Sequence, residues 1–138
     1  MIGYIDTSVV LRWLLSGDPV FEKLVGIEVR GSSELLLIET NRILERFRLS
    51  QELDDEQLAK LKSAFNGFVD GISLVPLNDT VKKRAAGTFP TVIGTLDALH
   101  LASALLWSDY LLDELEVFSF DKQMNICAQA LGFPTPLL

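Results

Sequence analysis

Residues 2–15, IGYIDTSVVLRWLL, join a short apolar run to a helical pattern through one acidic residue. The run Ile2–Ile5 is typical of a short buried strand, and from Thr7 to about Leu15 the apolar residues favour a helix. A strand that leads directly into a helix is the repeating unit of folds with a parallel sheet. Because Asp6 ends the strand, we expect its carboxylate at the carboxyl edge of the sheet, where such folds commonly bind ligands.

The rest of the chain continues this alternation of helix-like and strand-like segments. Further helices are predicted at 18–31, 35–49, 54–69, 79–86, 95–107 and 122–131. Further strands are predicted at 72–77 and 116–120, and the tail at 136–138 is a candidate for a last edge strand. This pattern predicts an α/β fold in which a short parallel sheet of about four to five strands is flanked by helices on both faces.

The composition fits one globular domain. With 138 residues the chain has the length of a single domain, which we predict to span residues 1–138. Hydrophobic residues make up 49% and charged residues 22%, so a disordered or low-complexity chain is excluded. The only cysteine is Cys127 and the only histidine is His100, which excludes a disulfide scaffold and the common structural zinc sites. We interpret Cys127 as an inert core residue and His100 as a packed, hydrogen-bonded one.

Net charge and the first residues of the chain restrict its partners and its compartment. The net charge of −7 argues against nonspecific nucleic-acid binding by bulk charge, although it allows a nucleic-acid enzyme whose acidic residues hold metal. The first residues contain no basic leader, and Asp6 and Arg12 interrupt the apolar run. We therefore expect neither a signal peptide nor a membrane span, and we predict a cytoplasmic protein.

Four carboxylates occupy positions that a purely structural interpretation explains poorly. Asp6 and Asp121 each end a predicted strand, so their side chains meet if the two strands are neighbours. Glu39 and Asp97 lie on or beside the apolar faces of two helices, where an unpaired carboxylate costs several kcal/mol. The alternatives are local: each aspartate can cap the helix that follows it, and Arg42 can pair with Glu39.

A divalent metal ion accounts for all four carboxylates together. Hard cations such as Mg²⁺ take oxygen ligands, whereas a cluster of carboxylates without a cation repels itself. With such an ion, the cluster can hold a water nucleophile and neutralise the charge that develops on a phosphate. An acidic metal site is therefore predicted at Asp6, Glu39, Asp97 and Asp121.

The four acids stand in strings that resemble a known family. YIDTSVVLRWL, LLLIETNRIL, TLDALHLASAL and FSFDKQM, in this order, are similar to the acidic motifs of PIN-domain ribonucleases. They most resemble the VapC-type toxins of bacterial and archaeal toxin–antitoxin pairs. The resemblance covers nearly the whole chain, and IDTS before a long helix and DALHLA are its most specific parts.

The resemblance implies a role for each motif residue. The family's metal-site acids correspond to Asp6, Glu39, Asp97 and Asp121, which would bind Mg²⁺ or Mn²⁺ directly or through water. Glu39 would either ligate the ion or orient and deprotonate the attacking water. Ser8 and Ser119 fall where the family has supporting hydroxyls.

Two neighbouring regions leave alternatives open. The stretch between the third and fourth motifs is longer and more acidic than the family pattern, so a different acid can replace Asp121 as the fourth one; the candidates are Asp109, Asp113, Glu114 and Glu116. Arg42 and Arg46, one helical turn apart, are candidates for an RNA or antitoxin contact. They can equally belong to a solvated face that forms salt bridges with Glu45 and Glu52.

The function that the resemblance implies is metal-dependent hydrolysis of RNA phosphodiesters. The protein would be an endoribonuclease, a homodimeric toxin with a PIN-like fold that a cognate antitoxin holds inactive. One alternative is a non-catalytic PIN-like binding domain. The other is a receiver-type phospho-acceptor module, which requires paired acids after the first strand, where Asp6 stands alone.

Overall fold

The computed structural model describes the whole chain, from Met1 to Leu138. Its centre is a parallel sheet of four strands, β1 (Ile2–Ile5), β2 (Val29–Ser33), β3 (Ser73–Val75) and β4 (Leu115–Phe118). The order is β3-β2-β1-β4, so that β1 lies between β2 and β4. All residues of β1 are buried, as expected of a strand that is covered on both faces. The predicted α/β class and parallel sheet are confirmed.

The strand order creates a crevice at one edge of the sheet. From β1 the chain adds β2 and then β3 on one side, and it later returns to place β4 on the other side of β1. The carboxyl ends of β1 and β4 therefore border a topological switch point, where open parallel sheets commonly bind ligands. The backbone N–H of Asp6 donates to the carbonyl oxygen of Phe118 at 2.9 Å, which keeps these two strand ends together.

Seven helices surround the sheet, and local sequence signals define several of their ends. Asp54 and Gln57 form a reciprocal capping box, and Asn78 caps a later helix by accepting from the N–H of Val81. Gly17 ends the first helix with φ of 66°, a left-handed conformation that favours glycine. The helices are α1 (Thr7–Ser16), α2 (Val20–Val25), α3 (Leu35–Leu49), α4 (Asp55–Asp70), α5 (Asp79–Ala85), α6 (Thr95–Leu111) and α7 (Lys122–Ala130).

Two apolar clusters fill the space between the sheet and the helices. Ile2 and Tyr4 of β1 belong to a cluster with residues of α6, β4 and α7, whereas Ile5 belongs to a second cluster with residues of α1, α2 and α4. This division follows from strand geometry, because successive side chains point to opposite faces of a sheet. Cys127 lies fully buried in the first cluster, as expected from the sequence.

The prediction of one helix over 18–31 is wrong. The helix α2 ends at Val25, and the following residues form strand β2, whose sequence VRGSS carries no apolar alternation. Tertiary contacts stabilise this strand. The hydroxyl of Ser32 donates to the carbonyl oxygen of Ile5 at 2.6 Å, and the indole of Trp107 packs so closely on Gly31 that no side chain fits there.

The tail does not form the additional edge strand that the sequence suggested. The backbone N–H of Val117 donates to the carbonyl oxygen of Pro134 at 2.9 Å, but no ladder continues from this contact. Pro134 and Pro136 have no N–H to donate, so an extended ladder cannot form along this segment. None of the seven helices combines the length and the apolar character that crossing a membrane requires.

Candidate functional site

The crevice at the switch point opens into a cavity of about 440 Å³ that all four predicted acids line. Asp6 follows β1, Asp121 follows β4, Glu39 lies on α3 and Asp97 on α6. Four separate elements thus bring their carboxylates to one place. Two larger cavities beside α5, of about 470 and 620 Å³, contain no carboxylate, which makes the acidic cavity the candidate site.

Two serine hydroxyls hold the Asp6 carboxylate. Asp6 is only 5% exposed, and its Oδ2 accepts from the hydroxyls of Ser8 and Ser119, each at 2.7 Å. The same hydroxyl oxygens accept from the backbone N–H of Phe120 at 3.0 Å and of Asp121 at 2.9 Å. Ser8 and Ser119 therefore connect the end of β1 to the loop after β4 and fix the orientation of the buried carboxylate.

Asp121 combines a helix cap with a place in the cavity. Its Oδ1 accepts from the backbone N–H of Met124 at 3.0 Å, which caps α7. Among the alternative acids between the third and fourth motifs, none lines this cavity, and Asp109 and Glu114 border a separate one on another side of α6.

Asp97 has no hydrogen-bond partner in the protein that would offset its charge. It lies in the first turn of α6, but Gly94 occupies the N-cap position and no side chain caps this helix. Burial raises the pKa of Asp97 to about 6, and the nearby charges of Asp121 and Asp6 add to the effect. The helix-cap alternative is therefore wrong for Asp97, and its raised pKa reflects uncompensated negative charge in the cavity.

Glu39 is bound by a threonine and a histidine rather than by the arginine that the sequence suggested. Its Oε1 accepts from the hydroxyl of Thr7 at 2.7 Å and lies 2.7 Å from Nε2 of His100. Burial opposes ionisation, but the hydrogen bond and charge of His100, together with Thr7, lower the pKa of Glu39 below its ordinary value. Arg42 lines the same cavity but does not bond to Glu39.

His100 is a buried, hydrogen-bonded residue, and it contacts the candidate site. Its Nδ1 lies 2.7 Å from the hydroxyl of Tyr4, and its Nε2 lies 3.2 Å from the hydroxyl of Thr7 and 3.5 Å from Oδ1 of Asp6. Burial alone would lower the pKa of His100, but the hydrogen bond to Glu39 and the charges of Asp6 and Glu39 raise it. Burial, with the charge of Asp6, raises the pKa of Tyr4 well above its ordinary value, so Tyr4 keeps its hydroxyl proton.

Sequence reasoning missed the contacts that Thr7 and His100 make with Glu39. Thr7 lies inside the motif IDTS, but it gives no signal that separates it from the hydroxyl of Ser8. His100 follows Asp97 by three positions on one helix, a spacing that places both side chains on neighbouring parts of the same face. That spacing, together with the absence of any other histidine, is the signal that could have found it.

The comparisons with known proteins agree with this geometry. A family model described as the PIN domain matches residues 3–128. This chain belongs to the PIN-domain family. In fold it is similar to a chain of VapBC2 from Rickettsia felis, crystallised with a DNA fragment from their promoter; the TM-score is 0.67 at 12% identity, over 98% of this chain and 97% of that chain. Such low identity shows the fold alone, and a comparison with curated protein sequences gives no match.

Two arginines of the PIN domain lie beside the acids. Arg42 and Arg46 are exposed on α3 and line the same cavity. Neither forms a salt bridge; it is Arg48 that pairs with Glu45. Arg42 and Arg46 thus lie on a solvated face but lack the salt bridges to Glu45 and Glu52 that the alternative required, and both guanidinium groups remain available to an anion.

The donor set of this PIN domain suits a hard divalent ion. Four carboxylates and hydroxyls supply oxygen atoms, and the raised pKa of Asp97 indicates negative charge that a cation would offset. As the side chains stand, no group of three or more His, Cys, Asp or Glu is close enough to hold an ion together. Internal hydrogen bonds already occupy one oxygen each of Asp6, Glu39 and Asp121.

Proposed function

We propose that this PIN domain is a metal-dependent endoribonuclease of the VapC type, held inactive by a cognate antitoxin. The observation that carries the proposal is the cavity at the switch point between β1 and β4, which four carboxylates from four separate elements line. Similarity in fold to a chain of a VapBC complex supports a toxin with a protein partner.

The carboxylates would hold Mg²⁺ or Mn²⁺, with water molecules completing the coordination. Asp6, Asp97 and Asp121 would bind the ion directly or through water, and Glu39 would bind it or accept a proton from the attacking water. Bound there, the ion would lower the pKa of a water molecule and stabilise the negative charge that develops on the phosphate. The residues themselves orient this arrangement: Ser8 and Ser119 fix Asp6, and Thr7 and His100 fix Glu39.

Arg42 and Arg46 would bind the substrate backbone. Their place at the rim of the acidic cavity lets their guanidinium groups contact the phosphates that flank the one being hydrolysed. We propose a single-stranded substrate, whose flexible backbone can bend toward the acids in the cavity. We also propose a homodimer in the cytoplasm as the working form, in line with the resemblance to VapC toxins.

A cleavage assay tests the proposal. The full chain, freed of any partner, is incubated with an end-labelled single-stranded RNA in EDTA, in Mg²⁺ and in Mn²⁺. Internal cleavage with either ion and none in EDTA is expected. Asp6→Asn should abolish cleavage, whereas Asp109→Asn, an exposed acid on α6 outside the cavity, should leave it unchanged. Equal cleavage by both variants, purified in the same way, would indicate a contaminating nuclease and contradict the proposal.

One observation favours a second candidate, a PIN-like binding module without catalysis. No three acids are grouped closely enough to hold an ion. In that case the wild-type protein would show no cleavage with any ion, and its melting temperature would be the same in EDTA and in excess Mg²⁺.

A further inference from the structure

A buried chain of polar contacts connects the core of the sheet to the candidate site. The hydroxyl of Tyr4 on β1 contacts Nδ1 of His100 at 2.7 Å, and Nε2 of His100 contacts Oε1 of Glu39 at 2.7 Å. Tyr4 and His100 are at most 1% exposed, whereas Glu39 lines the cavity. The chain thus begins in the apolar interior and ends at a carboxylate that faces solvent.

The direction of the hydrogen bond to Glu39 follows from the chemistry of the two groups. An ionised carboxylate oxygen only accepts, so Nε2 of His100 must carry the hydrogen in the contact with Oε1. This holds for both the neutral and the charged imidazole. At the other side of the ring, the Tyr4 hydroxyl holds Nδ1, and a ring fixed at both nitrogens has one orientation.

We propose that His100 is a positioning residue that holds the Glu39 carboxylate in its working orientation, with Tyr4 fixing the imidazole from behind. The proposal rests on the proposed ribonuclease function and assigns a further residue to that site. Oε1 of Glu39 receives hydrogen bonds from Thr7 and His100, which leaves Oε2 as the oxygen available to an ion or a water molecule. Partners that orient a ligating carboxylate in this way typically change metal affinity or activity by about 10- to 100-fold when removed.

The contacts of His100 distinguish a positioning role from the hydrogen bonds that any buried polar group requires. Its hydrogen-bond partners come from β1, α1 and α3; β1 and α1 flank Asp6, and α3 carries Glu39. The hydroxyl of Ser103, by contrast, donates to the carbonyl oxygen of Leu99 one turn earlier on its own helix. A histidine that served packing alone would not need a carboxylate partner at the wall of a cavity.

The first test uses the wild-type protein without metal or RNA. Because the chain contains one histidine, ¹⁵N-histidine labelling gives one imidazole and needs no assignment. We expect a slowly exchanging proton on Nε2 in the wild-type protein, and faster exchange of that proton in Glu39→Ala. An Nε2 without a proton, or a proton that exchanges equally fast in both proteins, would overturn the proposal.

The second test measures Mn²⁺ binding by calorimetry and RNA cleavage, in four proteins: wild type, His100→Phe, Glu39→Gln and the double variant. Phenylalanine keeps a ring of similar volume and removes both nitrogens. We expect His100→Phe to weaken Mn²⁺ binding and to slow cleavage, each by about tenfold or more. In the Glu39→Gln background the same change should have less than about a twofold effect, because the two residues act through one contact.

Cys127→Ala is the control for general loss of stability. Cys127 is fully buried in the core cluster that also contains Tyr4, and it has no polar contact with the site. It should lower the melting temperature without changing Mn²⁺ affinity. If His100→Phe does not fold, Tyr4→Phe replaces it, because it removes only the hydroxyl behind the ring, and a smaller loss in the same direction is expected.

The two proposals fail in different ways. If the wild type cleaves RNA and His100→Phe has the same Mn²⁺ affinity and cleavage rate, the positioning role is overturned. The ribonuclease proposal then still stands. An equal loss from His100→Phe in both backgrounds also overturns the role, because the effect would not pass through Glu39. A wild-type protein without cleavage in any divalent ion overturns the ribonuclease and the positioning for it together.

Discussion

Asp6 and Asp97 line the same cavity, but their carboxylates lie in opposite electrostatic environments. The Asp6 carboxylate accepts from two serine hydroxyls and is nearly inaccessible. The Asp97 carboxylate has no such donors, and burial together with the charges of Asp121 and Asp6 raises its pKa to about 6. On the Asp6 side of the cavity, hydrogen bonds within the protein stabilise the carboxylate. On the Asp97 side, the negative charge has no such partner.

This difference indicates that the two sides of the cavity have different roles. The strand side, where β1 and β4 end, is held by hydrogen bonds within the protein. The helix side, at the first turn of α6, would gain from a cation, because burial and the neighbouring carboxylates disfavour the ionised form of Asp97. A substitution that removes charge at Asp97 and one that removes a hydrogen bond to Asp6 should therefore affect stability and activity differently.

The largest effect is expected from Asp97→Asn. The change keeps the shape of the side chain and removes one ligand charge, so RNA cleavage should fall by about 10³-fold or more. In EDTA the variant should melt at the same temperature as the wild type or a few degrees higher, because repulsion among the carboxylates decreases.

Melting curves in EDTA and in excess Mg²⁺ complete this test. The wild type should gain stability from Mg²⁺ by mass action, and Asp97→Asn should gain much less. Asp109→Asn on the same helix is the matched control and should behave like the wild type. Equal gains in wild type and Asp97→Asn would mean that Asp97 does not hold the ion.

On the strand side, Ser119→Ala should reduce activity and stability together. The buried Asp6 carboxylate would lose one of its two hydroxyl donors, which costs about 1–3 kcal/mol of folding stability. Cleavage should fall by about 10- to 100-fold, since Asp6 is less well oriented. Thermal melts and cleavage rates measure the two effects, and Ser63→Ala on the outer part of α4 serves as control. A lower rate without any loss of stability would contradict the role in holding a buried charge.

The sequence predicted the parts of this molecule whose signals are local. Apolar periodicity, capping residues and motif spacing predict the first strand, α3, α4 and the acids of the four motifs. Those acids line one cavity in the structure. The strand β2 could not be predicted in this way. Its residues Gly31 and Ser32 are small or polar because Trp107 packs on one and the other bonds to Ile5, and both contacts are long-range.

The histidine shows the same limit within the site. A lone histidine in an apolar helix predicts a buried, hydrogen-bonded residue, and His100 is one. Which partners it meets depends on how α6 crosses β1 and α3, and no local pattern contains that information. Contacts between sequence-distant elements therefore decide whether a core residue also belongs to a functional site.

The pH dependence of stability in EDTA should differ between the wild type and Asp97→Asn. The raised pKa means that the folded state binds the Asp97 proton more tightly than the unfolded state, whose pKa is near 3.8. The folded protein therefore loses stability as pH rises from about 4 to about 6. Because the group is partly solvated, we expect a loss of roughly 1 kcal/mol.

Denaturant midpoints at pH 4 and pH 7 measure this loss. The difference in stability between wild type and variant reports Asp97 together with its charge interactions, which include those with Glu39 and His100. Asp97→Asn should gain relative to the wild type on going to pH 7. A variant that loses relative to the wild type over this range would show that ionised Asp97 has a favourable partner.

The smallest effect is expected outside the carboxylates, from Arg46→Ala. Arg46 is exposed, forms no salt bridge and lies at the rim of the cavity, so its loss should leave folding unchanged. If its guanidinium binds a phosphate, KM for RNA should rise a few-fold with little change in kcat, and the slope of log affinity against log salt should decrease by about one. Arg48→Ala, which removes an arginine already paired with Glu45, is the matched control and should change neither quantity. Equal effects of the two substitutions would mean that general charge, rather than the place of Arg46 beside the acids, attracts the RNA.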